Sequence, residues 1–283
     1  MKEIENEIQN ESHFFRTLFF LLLLAIILIF IYGKFLGNSG VVSKEYSIQN
    51  DQFPESFNTL KIAHFSDILY KNEEDLEKFD LLIEKINDKK PDIIIFTGNL
   101  TKEKYNFEEE ETNKIKEKLS KLTCTYGKYY VSGKNDKSNP SYDSIMQSSG
   151  FISLNDNKDI IYSKLKEKIL LVGLDNNSSI GFISDILKDN TFKYKMVMFS
   201  ESDEIDDIKD YNFDIAFSSN SLNGQINIPI IKRFFVRDGS TKYIDPYYKV
   251  DNTDLYISSG IGTDKYDYRL FNKPSFNFYK IKK

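Results

Sequence analysis

The sequence predicts an α/β protein that is preceded by one membrane-spanning helix. Three observations lead to this prediction. Short apolar runs alternate with helical patterns in the first half, strand patterns dominate from Phe151 onward, and residues 17–33 contain no charged side chain. Alternating strands and helices produce parallel strands that are covered by helices. A pair of packed, mixed β-sheets flanked by helices accommodates the strand-rich second half.

The uncharged run from Thr17 to Gly33 predicts a membrane anchor, which follows an N-terminal tail of residues 1–16. A helix rises about 1.5 Å per residue, so this run covers roughly 25 Å of a hydrocarbon core of about 30 Å. Arg16 and Lys34 at its ends can snorkel towards the headgroups. A cleaved signal peptide is the alternative, but its apolar stretch is usually about 7–15 residues long and ends at a small-residue cleavage site. No such site follows this run, so we expect an uncleaved, single-pass anchor in the cell membrane.

The folded part is predicted to begin after a polar linker. Residues 34–58 are rich in turn-forming residues and predict that linker, which leaves residues 59–283 for the domain. Buried strands are predicted at Leu60–Phe65, Asp92–Phe96 and Lys128–Val131. The segment between the first two strands places apolar residues on one helical face, as a helix packed on a sheet requires. This β-α-β-α-β order predicts parallel pairing.

Composition excludes several classes of function. The net charge of −5 argues against a nucleic-acid surface, because phosphate binding needs clustered Lys and Arg. The chain has one cysteine, Cys124, so no disulfide can form within it. It has two histidines, His13 and His64, so no cluster of His ligands is available.

The ends of the predicted strands carry a recurring kind of polar turn. These turns, in chain order, are "HFSDILY" (His64–Tyr70), "FTGNLTK" (Phe96–Lys102), "VSGKND" (Val131–Asp136), "MFSESD" (Met198–Asp203), "SSNSLNGQ" (Ser218–Gln225) and "YISSGIGTDKYDYRLFNKPSFNFYKIK" (Tyr256–Lys282). Taken in this order, they resemble the calcineurin-like metallophosphoesterases, in particular their bacterial membrane-associated group. The resemblance implies a four-layer αββα sandwich of two mixed β-sheets flanked by helices, with the turns meeting at the strand ends.

The resemblance also implies a chemistry, because two divalent metals clamp a phosphate ester in this family and generate the attacking hydroxide. Asp, Asn and His side chains at these turns hold the metals. This sequence keeps one such ligand position, the first aspartate. The positions that correspond to the family's metal site, all of which we predict to be vacated by the metals, are Asp67, Leu69, Asn99, Lys134, Asn135, Glu201, Asn220 and Leu222.

We therefore predict a non-catalytic member of the family that binds or regulates, with no metal ligand, no catalytic residue and no cofactor. Two alternatives remain open. One is an active phosphoesterase whose divalent metals are held by Asp67, Asn99, Asn135, Glu201 and Asn220. The other is a structural membrane protein. In the first interpretation we expect the Lys134 ammonium to lie between Asp67 and Glu201 and to replace the positive charge of the metals.

The orientation of the anchor is not fixed by charge. Lys2 and Arg16 on one side balance Lys34 and Lys44 on the other. Resemblance to exported members of the family predicts a domain outside the cytoplasm. The membrane is the one partner that the sequence predicts, and a ligand or protein partner is left open.

Overall fold

The structure is a computed structural model that describes residues 2–175, 180–187, 191–228 and 236–283. Its α-helices are α1 (Lys2–Ile31), α2 (Asp75–Asp88), α3 (Glu109–Ser120), α4 (Tyr142–Ser148), α5 (Ile180–Leu187) and α6 (Ile205–Ile208). Its strands are β1 (Val42–Gln49), β2 (Thr59–Phe65), β3 (Ile93–Phe96), β4 (Gly127–Tyr130), β5 (Phe151–Ser153), β6 (Asn157–Tyr162), β7 (Lys168–Gly173), β8 (Lys195–Glu201), β9 (Ile215–Ser219), β10 (Tyr247–Val250), β11 (Thr253–Ile257) and β12 (Ser275–Lys282).

The strands form two six-stranded mixed sheets. The first has the order β1-β12-β2-β3-β4-β5, and the second has the order β10-β11-β9-β8-β7-β6. In the first sheet, β2, β3, β4 and β5 are parallel, whereas β12 runs antiparallel to β2. In the second sheet, β7, β8, β9 and β11 are parallel. The carboxyl ends of parallel strands share one edge of a sheet, which is where ligand sites form in α/β folds.

Three apolar layers hold the sheets and helices together. Ile62, Ile93 and Ile95 belong to the core between the two sheets. Their neighbours in sequence, such as Ile94 and Phe96, point to the opposite face and pack under α2, α3 and α4. A third layer joins the outer face of the second sheet to α5 and α6. The predicted αββα sandwich of two mixed sheets is therefore confirmed.

The first helix, α1, has 30 residues and passes into a π-helical turn at Tyr32–Leu36, and its side chains from residue 13 to residue 31 are exposed. The most apolar 18 residues within His13–Leu36 have a mean hydropathy of 2.9, and by length and composition this stretch can cross a membrane. Its end is fastened to the domain, because the Arg269 backbone N–H donates to the Gly33 carbonyl at 3.0 Å. Gly37 passes so close to the same segment that a Cβ there would clash with the Arg269 carbonyl oxygen.

The linker that the sequence predicts over residues 34–58 instead contains a strand. β1 pairs in parallel with β12 from Val42 opposite Ser275 to Gln49 opposite Lys282. It lies at the edge of the first sheet, and most of its side chains are exposed or half-buried. An edge strand with little buried surface carries polar residues on both faces, so its composition is that of a linker.

Candidate functional site

Four of the predicted site residues meet where strands of the two sheets end. Asp67 follows β2, Asn99 follows β3, Asn135 follows β4 and Asn220 follows β9. All four are buried. The carboxyl ends of β2, β3 and β4 lie side by side in the first sheet, and the end of β9 approaches them from the second. The Ser219 hydroxyl, for example, donates to the Thr97 carbonyl at 2.8 Å.

Asp67 is the centre of this cluster, and its side chain is fully buried. One carboxylate oxygen accepts a hydrogen bond from the Asn99 amide at 2.9 Å. The other oxygen accepts from the Ser66 hydroxyl at 2.7 Å and from the Asn220 backbone N–H at 3.1 Å. Burying a carboxylate is costly unless donors of this kind and a nearby positive charge compensate for its lost hydration.

That positive charge comes from Arg237, a residue that the sequence analysis did not place in the site. Its guanidinium nitrogen Nη1 lies 3.2 Å from the Asp67 carboxylate and 3.2 Å from the Asn220 carbonyl oxygen. Its Nε lies 3.4 Å from the Asp264 carboxylate. The Arg237 side chain is only 14% exposed. The guanidinium thus bridges two acids at the strand ends, 170 residues away from Asp67 in the chain.

The sequence contains a weak signal for Arg237. It stands directly before Asp238-Gly239, and the structure has an antiparallel bridge between Arg237 and Ser240 around this turn. A residue that begins a tight turn has a fixed direction, and the turn here points Arg237 towards the cluster. Nothing in the spacing of the sequence connects this turn with β2, so the contact emerges only when the two sheets pack.

The expected role of Lys134 is wrong. Its ammonium group lies 3.7 Å from Asp238, and the two side chains are 59% and 93% exposed. Among the described residues, Lys134 forms its ion pair with Asp238 rather than with Asp67 or Glu201. An ammonium group is strongly hydrated, whereas a planar guanidinium loses less on burial and presents several fixed donors. The buried acid is therefore paired with an arginine, and the lysine stays in water.

Glu201 is the last residue of β8 and lies against the turn formed by residues 238–240. Its carboxyl group packs so closely against Gly239 that a Cβ at this glycine would clash with it. Burial, followed by repulsion from Glu201, raises the pKa of the neighbouring Glu204 to about 8. Glu201 is thus associated with the 238–240 turn rather than with Asp67.

The asparagine side chains form hydrogen bonds to neighbouring turns. The Asn220 amide donates to the Asp238 carbonyl at 2.7 Å and to the Ser240 hydroxyl at 3.1 Å. The Asn135 amide donates to the Thr101 carbonyl at 3.0 Å. The Asn99 side-chain oxygen accepts from the Asn135 backbone N–H at 3.3 Å. These bonds hold the four turns to one another.

Leu69 and Leu222 are buried beside the cluster, and their backbones are unusual. Leu69 has a φ of 50° and Leu222 also has a φ of 50°. Positive φ is an outlier for a bulky side chain and costs of order 1–3 kcal/mol at each position. Three polar members of the cluster share this conformation, with φ values of 47° at Asp67, 61° at Asn99 and 67° at Asn220. The turns therefore have a specific, strained shape that the leucine side chains do not require.

Two further buried groups brace the site. The Asp136 carboxylate accepts backbone N–H bonds from Asn99 at 2.6 Å, Leu100 at 2.8 Å and Gly133 at 2.8 Å, and so ties the β3 turn to the β4 turn. Burial raises the pKa of Asp136 to about 7, although these three N–H donors oppose that shift. Fully buried Arg269 donates to the carbonyl groups of residues 259, 260 and 262. It thereby shapes the loop that binds the Asp67 backbone.

Within residues 2–175, 180–187, 191–228 and 236–283, no three His, Cys, Asp or Glu side chains are grouped so that they could hold a metal ion. His64 lies inside β2, where its two ring nitrogens contact the Tyr279 hydroxyl at 3.2 Å and the Thr97 hydroxyl at 2.9 Å. It is buried in the core between the sheets and does not point into the cluster.

Comparison with known proteins identifies the family. The family profile described as calcineurin-like phosphoesterase matches residues 60–260. The Bacillus subtilis protein described as "Uncharacterized metallophosphoesterase YkuE" is 24% identical over 263 residues, which cover 89% of each chain. The B. subtilis metallophosphoesterase YkoQ is 26% identical over 78% of this chain and 83% of its own.

Among solved structures, the calcineurin-like phosphoesterase YfkN from B. subtilis aligns with 72% of this chain and 82% of its own. The TM-score is 0.41 and the identity is 10%. The family match covers most of the folded domain, and it confirms the resemblance that the strand-end turns indicate. The chain belongs to the calcineurin-like phosphoesterase family.

Proposed function

We propose that this protein is a membrane-anchored, non-catalytic member of the calcineurin-like phosphoesterase family that acts by binding or regulation. The observation that carries the proposal is the Arg237 guanidinium 3.2 Å from the buried Asp67 carboxylate. A guanidinium supplies positive charge at the position where the family's chemistry needs metal ions. It cannot deprotonate a water molecule by coordination, as a divalent metal does.

The residues present do not fit the pair of divalent metals on which the family's activity depends. Leu69 and Leu222 carry no donor atom. The side-chain oxygen of Asn99 already accepts the Asn135 backbone N–H. Asp67 is the one carboxylate at the centre of the cluster. Two close divalent cations need several anionic or imidazole ligands to offset their charge, and a guanidinium at the same place repels them.

The domain keeps a well-defined shape around this cluster. Positive φ angles at Asp67, Leu69, Asn99, Asn220 and Leu222 cost conformational free energy, and the surrounding packing maintains them. The apolar helix α1 supports anchorage in the cell membrane as a single-pass protein. Strand-end turns that are held in a defined, costly conformation beside a membrane favour a binding or regulatory role over a purely structural one.

The test is metal content together with hydrolysis by the purified full-length protein. We expect less than one equivalent of tightly bound Mn²⁺ or Zn²⁺. We expect the rate with p-nitrophenyl phosphate or bis(p-nitrophenyl) phosphate plus Mn²⁺ to equal that of the Asp67→Ala variant. Lys134→Ala serves as the control for removing a charged side chain near the site, because Lys134 lies in water.

A Mn²⁺-dependent rate at least tenfold above that of Asp67→Ala would overturn the proposal. It would favour an active phosphoesterase with an oxygen-rich site that includes Asn99, Asn135, Glu201 and Asn220. Family membership is the observation that keeps this second function in view.

A further inference from the structure

A groove of about 390 Å³ separates the end of α1 from the domain. Ile26, Ile29 and Phe30 of α1 form one wall, and Ile226, Tyr268 and Leu270 of the domain form the other. Its volume falls within the range of about 300–1,000 Å³ that is typical of sites for small ligands. Its lining is almost entirely apolar side chains.

The helix wall is a continuous face of α1. Residues 26, 29 and 30 of α1 lie at positions i, i+3 and i+4 and so share one side of the helix, and Gly33 of the π-helical turn continues that side. On the domain wall of the groove, Ile226 and Leu270 are buried. On the helix wall, Ile29 and Phe30 are exposed. Three contacts keep the two walls in place. The Arg269 N–H bonds to the Gly33 carbonyl at 3.0 Å, the Phe30 and Tyr268 rings lie 6.0 Å apart, and the Tyr32 and Phe271 rings lie 6.3 Å apart.

We propose that this groove binds an acyl chain of a membrane phospholipid. The proposal rests on the membrane anchorage within the proposed function, because one wall of the groove is the spanning helix itself. A groove that is continuous with the spanning segment opens at the level of the bilayer, where acyl chains are the abundant apolar molecules.

The rim of the groove has the composition of a membrane interface. The Tyr266 and Tyr268 rings stack at 5.8 Å, and tyrosine is enriched where a protein crosses from hydrocarbon to headgroups. Lys265 lies over the Tyr266 ring, and Lys34 lies at the end of the anchor. Their ammonium groups can meet lipid phosphate while the tyrosine rings face the acyl chain.

The groove adjoins the strand-end site through one loop. Gln225, which precedes Ile226, donates its side-chain amide to the carbonyl groups of Tyr266 and Tyr268 and accepts from the Asp264 N–H. Asp264 in turn contacts Arg237. The lipid that we propose would therefore rest on the same loop that supports the guanidinium.

The chain contains no tryptophan, so a single introduced tryptophan reports on its own surroundings. Full-length Tyr268→Trp is reconstituted into phosphatidylcholine vesicles whose acyl chains carry bromine, a contact quencher of tryptophan fluorescence. We expect quenching of at least twofold. Tyr162→Trp, on β6 of the distant sheet and 57% exposed, is the aqueous control and stays unquenched. Leu28→Trp, about 180° around α1 from the groove, is the reference for bulk lipid.

Detergent exchange then separates a bound acyl chain from bulk lipid. Each variant is extracted into mild detergent and washed free of bilayer. Quenching is expected to persist at Tyr268→Trp and to disappear at Leu28→Trp. A variant that fills the groove, Ile29→Trp combined with Tyr268→Phe, should bring down less phospholipid per protein, by at least twofold, than Leu28→Trp.

Three results would overturn the proposal. Quenching at Leu28→Trp but not at Tyr268→Trp would show that α1 lies in the bilayer but that no acyl chain lies in the groove. Equal loss of quenching at both positions on washing would show that the groove holds no tightly bound acyl chain. Absence of quenching at both positions in vesicles would show that α1 does not lie in the bilayer and that the groove does not bind lipid. None of these results bears on metal content or hydrolysis, so the failure of the non-catalytic assignment remains distinguishable. Concentration-dependent dimerisation with an unquenched Tyr268→Trp would identify a second copy of the chain as the occupant.

Discussion

At the scale of single residues, Asp67 and Arg237 form an ion pair on which the site depends. Replacing Arg237 by methionine leaves the fully buried Asp67 carboxylate without the guanidinium that contacts it. We expect Arg237→Met to lower the free energy of unfolding by about 3 kcal/mol, as measured by denaturant titration in detergent. Asp67→Asn combined with Arg237→Met should recover part of this loss, with a coupling free energy of about 1 kcal/mol or more.

Lys134→Met is the matched control for that experiment. Lys134 is 59% exposed and its partner Asp238 is 93% exposed, so its removal should change the free energy of unfolding by no more than about 0.5 kcal/mol. Strictly additive effects of Asp67→Asn and Arg237→Met, or a larger loss from Lys134→Met, would show that the charge balance lies elsewhere.

The sequence identifies the positions of the site but not its electrostatics. Asp67, Asn99, Asn135 and Asn220 meet as expected, because the carboxyl ends of parallel strands share an edge. Lys134 sits on one of these turns, yet its side chain points into water. Arg237 comes from a turn that is remote in sequence. A strand-end pattern fixes where a backbone goes, whereas the direction of a long cationic side chain depends on solvation and on which turns pack together.

At the scale of the elements, β2 carries a histidine that must stay neutral. Burial lowers the pKa of His64 to about 3. The unfolded chain binds a proton at this residue below a pH of about 6.5, and the folded chain does not. The stability contributed by neutral His64 is therefore present above pH 6.5 and is lost as the pH falls towards 3.

We expect neutral His64 to lower the free energy of unfolding by up to about 1.4 kcal/mol for each pH unit below 6.5. The measurement is the free energy of unfolding of wild type and His64→Gln between pH 7 and pH 5. The variant will be less stable at pH 7, because the contacts with Tyr279 and Thr97 change. Its stability should nevertheless depend less on pH. Parallel pH profiles for the two proteins would contradict a neutral His64.

The junction between α1 and the domain depends on Gly37. A Cβ at this position would clash with the Arg269 backbone oxygen, and backbone cannot move aside cheaply. We expect Gly37→Ala to destabilise the domain by about 2 kcal/mol and to speed proteolysis between α1 and β1. Gly181→Ala is the control, because Gly181 lies in α5 with nothing within 4 Å of the added Cβ. Equal proteolysis of the two variants would show that the close approach is dispensable.

The helices and central strands could be predicted from periodicity, and β1 could not. Phe79, Leu82, Ile83 and Ile86 form the buried face of α2, as the apolar spacing indicates. β1 gains its partner from the last strand of the chain and buries little of its own surface. Pairing of that kind is decided by the backbone of a distant segment, so it leaves no strong pattern in the local sequence.

At the scale of the whole molecule, we expect the domain to lie outside the cytoplasm. Protease added to intact cells should remove a C-terminal epitope tag while a cytoplasmic marker protein survives, and permeabilised cells should lose both. Complete protection of the tag in intact cells, with cleavage after permeabilisation, would place the domain in the cytoplasm.

The short path between the anchor and the first sheet limits where the domain can go. The π-helical turn ends at Leu36 and β1 begins at Val42, so only residues 37–41 join them. Fully extended, these residues span at most roughly 17 Å. With α1 in a bilayer, the domain therefore stays within a thin layer next to the membrane surface. It therefore encounters other membrane proteins by lateral diffusion in the plane of the membrane. A soluble partner can bind it only at the membrane surface.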